Sequence, residues 1–217
     1  MSMIHEKLNK HKIIAILRKV PNEHLEKTVK ALYDGGIRFM EVTFDQSGTI
    51  PMASTCEQIR YISDNYPEIE VGAGTVITVE QVESAAEAGA KYIISPNTYE
   101  NVIKATKNKG LISMPGAFTP SEAVNAVLWG ADYVKLFPVG QLGPRYVKDV
   151  SAPLSNIKFL AVGGISDANI KSFLDAGCVG AGVGSSLVNL SLIKEERFEE
   201  LQKLAEKYVL TVTEERS

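Results

Sequence analysis

The chain predicts an α/β fold of one domain, a (β/α)8 barrel, and three observations carry that expectation. Short β-branched runs alternate with helically spaced apolar stretches from end to end, the pattern of repeated βα units on a parallel sheet. Eight such runs are present, the number that closes a barrel. Glycine also recurs between a helical stretch and the next apolar run, in Asp34-Gly35-Gly36, Ala88-Gly89-Ala90, Trp129-Gly130-Ala131 and Ala176-Gly177-Cys178. A left-handed residue there ends a helix, and the sites return at about the spacing of two βα units.

Taken in order, strands are expected at 13–17, 39–43, 70–74, 92–95, 111–114, 133–137, 158–162 and 181–183. Between them, apolar residues at helical spacing predict helices at 23–33, 52–64, 79–88, 99–108, 121–128 and 168–175. The sixth connection has room for only a short helix, at 144–151. A helix over 1–11 is expected before the first strand. An amphipathic closing helix over about 192–213, with a frayed charged end, completes a domain of residues 1–217.

Composition narrows the function classes. A chain of 217 residues with 45% hydrophobic and 23% charged content builds an ordinary globular core. A net charge of -3 supplies no basic field for a phosphate backbone, so no nucleic acid partner is expected. There is no secretory h-region and no apolar run long enough to span a bilayer, so the chain is expected in the cytoplasm with no membrane partner. Cys56 and Cys178 lie far apart without metal-type spacing, which argues against a disulfide framework or zinc ribbon. His5, His11 and His24 all precede the second strand, so no metal site is expected.

On such a barrel, chemistry sits at the C-terminal ends of the strands. Strand six reads Asp132-Tyr133-Val134-Lys135-Leu136-Phe137-Pro138, and its period of two puts Tyr133, Lys135 and Phe137 on one face. Both faces of a barrel strand are covered, and a lysine is rarely buried without a partner or a purpose. Desolvation lowers the pKa of its ammonium and frees the amine to attack a ketone. Strand two ends Met40-Glu41-Val42-Thr43, and the same parity turns Glu41 towards the lysine, where a carboxyl group could shuttle protons. An ion pair satisfying two buried charges is the competing explanation.

Strand three runs into Gly72-Ala73-Gly74-Thr75, where glycine permits a ligand close to the backbone or a tight turn. Arg18, after strand one, is placed to hold a carboxylate or phosphate. Gly163-Gly164 after strand seven and Gly184-Ser185-Ser186 after strand eight suit a phosphate cradle of backbone N–H groups. Ser95-Pro96 and Met114-Pro115-Gly116 end strands four and five, with proline fixing the exit direction where pairing stops.

Seven ordered segments, Glu41-Val42-Thr43, Gly72-Ala73-Gly74-Thr75-Val76, Ile94-Ser95-Pro96, Met114-Pro115-Gly116, Lys135-Leu136-Phe137-Pro138, Gly163-Gly164-Ile165 and Gly184-Ser185-Ser186-Leu187-Val188, resemble one known family. It is the 2-keto-3-deoxy-6-phosphogluconate (KDPG) / 4-hydroxy-2-oxoglutarate (KHG) aldolases, TIM-barrel lyases. The likeness runs over roughly residues 12 to 190. It implies Lys135 as the Schiff-base lysine and Glu41 as the general acid/base. It further implies Thr75 and Arg18 at the pyruvate carboxylate, Phe137 and Pro96 in the pocket wall, and Gly163, Gly164 and Ser185 at a substrate phosphate. No cofactor or metal, a small keto acid as substrate and a homotrimer are implied as well. Two positions depart from the family. Asp45 stands where many members have arginine, leaving Arg18 to take over the carboxylate, and Val162 stands where many have threonine.

The resemblance implies reversible cleavage of KDPG to pyruvate and glyceraldehyde 3-phosphate, and of KHG to pyruvate and glyoxylate. A related aldolase for 2-keto-3-deoxy-6-phosphogalactonate is the nearest alternative. A phosphosugar epimerase or isomerase on the same barrel, or a phosphate-metabolite sensor, would need no buried amine.

Overall fold

The computed structural model describes residues 2–213. Its strands are β1 (Ile13–Leu17), β2 (Phe39–Thr43), β3 (Glu70–Gly74), β4 (Tyr92–Ile94), β5 (Ile112–Met114), β6 (Gly116–Ala117), β7 (Val134–Leu136), β8 (Phe159–Val162) and β9 (Gly180–Val183). Every strand residue is buried, as parallel staves with helices on one face and a filled barrel on the other must be. All pairings are parallel, in the order β5-β4-β3-β2-β1-β9-β8-β7-β6, so the first and last strands lie side by side.

The closing stave differs from the expected single strand at 111–114. It is broken in two at Pro115: β5 pairs with β4, and β6 pairs with β7. Pairing therefore does not stop at this proline but changes partner. Pro115 has no N–H for a ladder, yet its carbonyl accepts from Lys135 N at 2.9 Å, and Ala117 O accepts from Phe137 N at 3.0 Å. Gly116 allows the fit, because a Cβ there would stand 2.4 Å from Pro96 O.

Strand parity separates two cores. Met40 and Val42 of β2 and Val134 and Leu136 of β7 pack outwards under the helices, with Ala15, Leu17, Ala161 and Val183. Ile14, Phe39, Tyr92, Ile94, Ile112, Met114, Tyr133 and Leu160 fill the barrel. Glu41 and Lys135, two residues beyond Phe39 and Tyr133, share this inward face by the alternation of the strand.

The covering helices are α2 (Asn22–Asp34), α3 (Met52–Asn65), α4 (Val79–Glu87), α5 (Glu100–Asn108), α6 (Pro120–Leu128), α7 (Gly143–Ser151) and α8 (Ile170–Asp175). Gly36, Gly89, Gly130 and Gly177 all take the positive φ expected where helices end. Helix α1 (Ser2–His11) plugs the N-terminal mouth with Leu8, while Lys7 pairs with Glu70 and His5 Nδ1 meets Tyr133 OH at 2.6 Å.

The closing segment is two helices, α9 (Leu190–Lys194) and α10 (Phe198–Thr213), where a single helix was expected. Glu196 between them adopts φ 55, and Arg197 bonds Glu195 at 2.8 Å and Glu200 at 2.7 Å, bracing the corner. Helical periodicity passes through such a polar corner unchanged, because no apolar residue marks it. Met1 and positions 214–217 of the expected terminal helices lie outside the described residues.

Candidate active site

Lys135 and Glu41 are among the most buried polar residues, 5% and 1% exposed. Among the described residues no ion pair joins them, so the competing explanation, a satisfied buried pair, does not describe this geometry. Both border one cavity of about 550 Å³ that opens at the C-terminal end of the barrel. Burial lowers the pKa of Lys135, Arg18 adds to the effect and Glu41 opposes it. Burial raises the pKa of Glu41, with Lys135 and Arg18 opposing. Both groups are thus biased towards their neutral forms, an amine nucleophile beside a carboxyl that can give and retake a proton. Lys135 Nζ also lies 4.7 Å from the centre of the Phe137 ring, which shields one side of the amine.

The glycines of β3 serve the site in a way spacing alone did not reveal. Their missing side chains make room for two neighbouring residues of the barrel. A Cβ on Gly74 would stand 1.7 Å from Glu41 Oε1, and one on Gly72 would stand 2.2 Å from the Tyr92 ring. Neighbouring side chains fold into the space these glycines leave, and Tyr92 OH in turn donates to Met40 O at 2.8 Å, beside Glu41.

The far end of the cavity is built from the Gly163-Gly164 and Gly184-Ser185-Ser186 loops. Gly163 and Gly164 hold φ 89 and 75, conformations that other residues rarely adopt. Their carbonyls are committed: Gly163 O accepts from Gly140 N at 2.8 Å, and Gly164 O accepts from Asn169 Nδ2 at 2.9 Å. Asn169 Oδ1 accepts from Ser166 N, and Ser186 Oγ donates to Ile165 O. Cations among the described lining residues are confined to Arg18, Lys19 and Lys135, so this end offers neutral donors only.

A second cavity of about 190 Å³ adjoins the first and shares Arg18 and Lys19 with it. Thr75 borders this smaller space, at φ 56, and its Oγ1 accepts from Arg18 Nη2 at 3.3 Å. Asp45 turns to its own loop. It accepts from Ser47 Oγ, Thr49 N and Ile50 N, and these bonds hold its carboxyl down at about 2.

Of the residues expected from sequence, Arg18, Glu41, Lys135, Phe137, Gly163, Gly164 and Ser185 line the main cavity. Thr75 joins them only through Arg18, and Pro96 stands beside Gly116, outside the lining of both cavities. Ser186, expected in the phosphate cradle, lines the main cavity too, while Lys19 and Ser166 line it and were not expected, although Lys19 directly follows Arg18 and Ser166 lies two residues beyond Gly164. No helix of the described residues is long and apolar enough to cross a membrane, and no metal-ligating group of His, Cys, Asp or Glu occurs among them.

The barrel, with a lysine and a glutamate buried at the floor of an open cavity, is that of a carbon–carbon lyase of the aldolase class, as the match to an aldolase family shows. The chain belongs to the KDPG and KHG aldolase family, whose model matches residues 4–204. It is 37% identical to 2-dehydro-3-deoxy-6-phosphogalactonate aldolase of Escherichia coli strain K12 over 81% of this chain and 83% of that protein. It is 32% identical to KHG/KDPG aldolase of the same organism over 90% and 89%. A crystal structure of KDPG aldolase from Legionella pneumophila, with pyruvate captured as a covalent carbinolamine intermediate, superposes with a TM-score of 0.81 at 26% identity, covering 92% of this chain and 94% of that one.

Proposed function

We propose that this aldolase is of class I, with Lys135 its Schiff-base residue, and that its preferred substrate is 2-keto-3-deoxy-6-phosphogalactonate. The observation that carries the mechanism is the desolvated amine of Lys135 beside the unpaired carboxyl of Glu41 on one cavity floor. Lys135 Nζ attacks the C2 ketone to give a carbinolamine, and Glu41 protonates the departing hydroxyl to leave an iminium. Loss of the proton from the C4 hydroxyl then breaks the C3–C4 bond. The bonding pair passes into the iminium to form an enamine, and the aldehyde, glyceraldehyde 3-phosphate, departs. Protonation of the enamine at C3 and hydrolysis release pyruvate and restore the amine. The chain's own groups supply every proton transfer, so the reaction needs no metal or organic cofactor.

Arg18 and Thr75 are positioned for the substrate carboxylate, and Phe137 for the face of the imine; Pro96 acts only through the stave it packs on. Gly163, Gly164 and Ser185 hold the phosphate, which keeps the reacting bond in place by binding remote from it. The galactonate epimer is favoured by the greater identity to the phosphogalactonate aldolase of E. coli and by Val162. Its apolar side chain borders the cavity where a threonine would offer the sugar a hydroxyl. The described residues, 2–213, form one domain. The enzyme works in the cytoplasm, where its two free thiols stay reduced, as a homotrimer joined through exposed apolar residues such as Phe118 and Leu128.

The test is pyruvate release, coupled to lactate dehydrogenase, from both 6-phospho epimers. A kcat/KM at least about tenfold higher on the galactonate-derived acid, near the discrimination one polar contact commands, is expected. A preference for the gluconate-derived acid would overturn this choice of substrate and leave the class of reaction standing.

A further inference from the structure

Asp45 carries no contact to the reacting groups, yet the loop it builds reaches the cavity's cation. Asp45 Oδ2 accepts from Ser47 Oγ at 2.7 Å, Thr49 N at 2.9 Å and Ile50 N at 3.0 Å, while Oδ1 accepts from Ser47 N at 3.3 Å. A single carboxylate thereby folds the whole turn between β2 and α3. Such a concentration of charged-acceptor bonds fixes a loop that glycine and serine would otherwise leave mobile.

The turn presents Gln46 to Thr75. Gln46 Nε2 donates to Thr75 O at 2.7 Å, and Gln46 Oε1 accepts from Gln81 Nε2 at 3.4 Å. Gln81 Oε1 in turn accepts from Ile77 N at 2.8 Å, so the segment after β3 is held from both sides. Thr75 needs that hold, because a β-branched residue at φ 56 sits where its kind is rare. Fixed in this way, Thr75 Oγ1 accepts from Arg18 Nη2 and sets the direction of the guanidinium. Arg18 borders both cavities, one holding Lys135 and the other closed by this loop.

We propose that Asp45 and Gln46 are positioning residues for the keto acid's carboxylate, acting through Thr75 on Arg18. The inference rests on the Schiff-base reading of Lys135. Neither residue touches the reacting atoms. Asp45 folds the turn, Gln46 pins the Thr75 carbonyl, and the pair of Thr75 hydroxyl and Arg18 guanidinium receives the carboxylate in one orientation. The remaining donors of Arg18 are free to form charge-assisted bonds with it, which a wandering side chain would make less often.

The experiment compares two ketones on the intact protein. Borohydride trapping of the imine is followed by mass spectrometry over a range of concentrations of pyruvate and, separately, of acetone, which has the ketone and no carboxylate. The proteins are the parent, Gln46→Met and Asp45→Asn. Methionine keeps the length of Gln46 and removes its donor; Gln46 is exposed, so the variant is expected to fold. For Gln46→Met the half-saturating concentration of pyruvate is expected to rise about three- to tenfold, the range one displaced hydrogen bond commands. The limiting trapping rate and the trapping of acetone stay as in the parent. Asp45→Asn is expected to change in the same direction. Unaltered pyruvate saturation in both variants would overturn the proposal, and so would an equal loss with acetone, which marks general damage to the site. If the parent itself formed no pyruvyl adduct on Lys135, the Schiff-base reading would fall and this inference with it.

Discussion

Two neighbouring layers of the barrel interior hold similar residues under opposite conditions. In the layer nearest the N-terminal mouth, Glu70, 8% exposed, is paired with Lys7, and the Tyr133 hydroxyl meets His5. One pleat further along, on β2 and β7, Glu41 and Lys135 are both more buried than Glu70 and have no such partners among the described residues. The lower layer is capped by α1 and filled around Leu8; the upper layer opens into the cavity. The polar groups of the lower layer are satisfied, which avoids the roughly 1–3 kcal/mol that an unpaired buried group costs. Leaving a lysine and a glutamate unpaired in the next layer biases both towards their neutral forms, at a cost in stability borne by the packed layer beneath.

The largest effect expected from this contrast is at Lys135. Lys135→Met should lower kcat/KM for pyruvate-forming cleavage by about 10⁴-fold or more, the scale on which loss of a covalent nucleophile acts. Stability should be unchanged or higher, since an apolar side chain of similar length replaces a desolvated amine. A variant that melts well below the parent while keeping its activity would reverse the assignment of the two layers.

The next effect is a pH dependence. Burial raises the pKa of Glu41 above its ordinary value of 4.5, so between the two values the folded protein holds a proton that the unfolded chain releases. Stability contributed by this group is present below the ordinary carboxyl range and is lost as pH rises through the folded value. Glu41→Gln removes that loss. Its melting temperature should exceed the parent's by a few degrees at neutral pH, and the gap should close on acidification towards 4.5. A constant gap across that range would mean that Glu41 does not titrate as its burial requires. In the same variant kcat should fall by about 10²- to 10⁴-fold, the usual weight of a general acid/base.

Much of this division was legible in the residues. Strand alternation alone turned Tyr133 and Lys135, and Phe39 and Glu41, to one side, because covering both faces of a parallel stave leaves the period of two intact. The break at Pro115 was not legible: Gly116 and Ala117 carry too little side chain to show an alternation, and their pairing with β7 is a matter of backbone alone. The purpose of Gly72 and Gly74 was hidden too, since it depends on Tyr92 and Glu41 reaching across from other strands. Gln46 and Gln81 escaped notice because two exposed amides on different loops become a network only once tertiary structure brings them together. The motif residues at strand ends were visible for the opposite reason: each is placed by its own strand.

The smallest expected effect sharpens the contrast from its supporting side. Tyr133→Phe keeps the ring in the core that fills the barrel and deletes only the hydroxyl at 2.6 Å from His5 Nδ1. Loss of one such bond should cost about 0.5–1.5 kcal/mol, or roughly 1–6 °C in Tm for a chain of this size. Although Tyr133 lies only two residues from Lys135 on the same inward face, kcat/KM should stay within about twofold of the parent, because the hydroxyl points to α1 and not to the cavity. Thermal melts and the coupled pyruvate assay on the same preparation separate the two readouts. Were activity to fall more steeply than stability, the two layers would be coupled through β7, and the N-terminal helix would have to be counted as a support of the amine and not merely as a plug of the barrel.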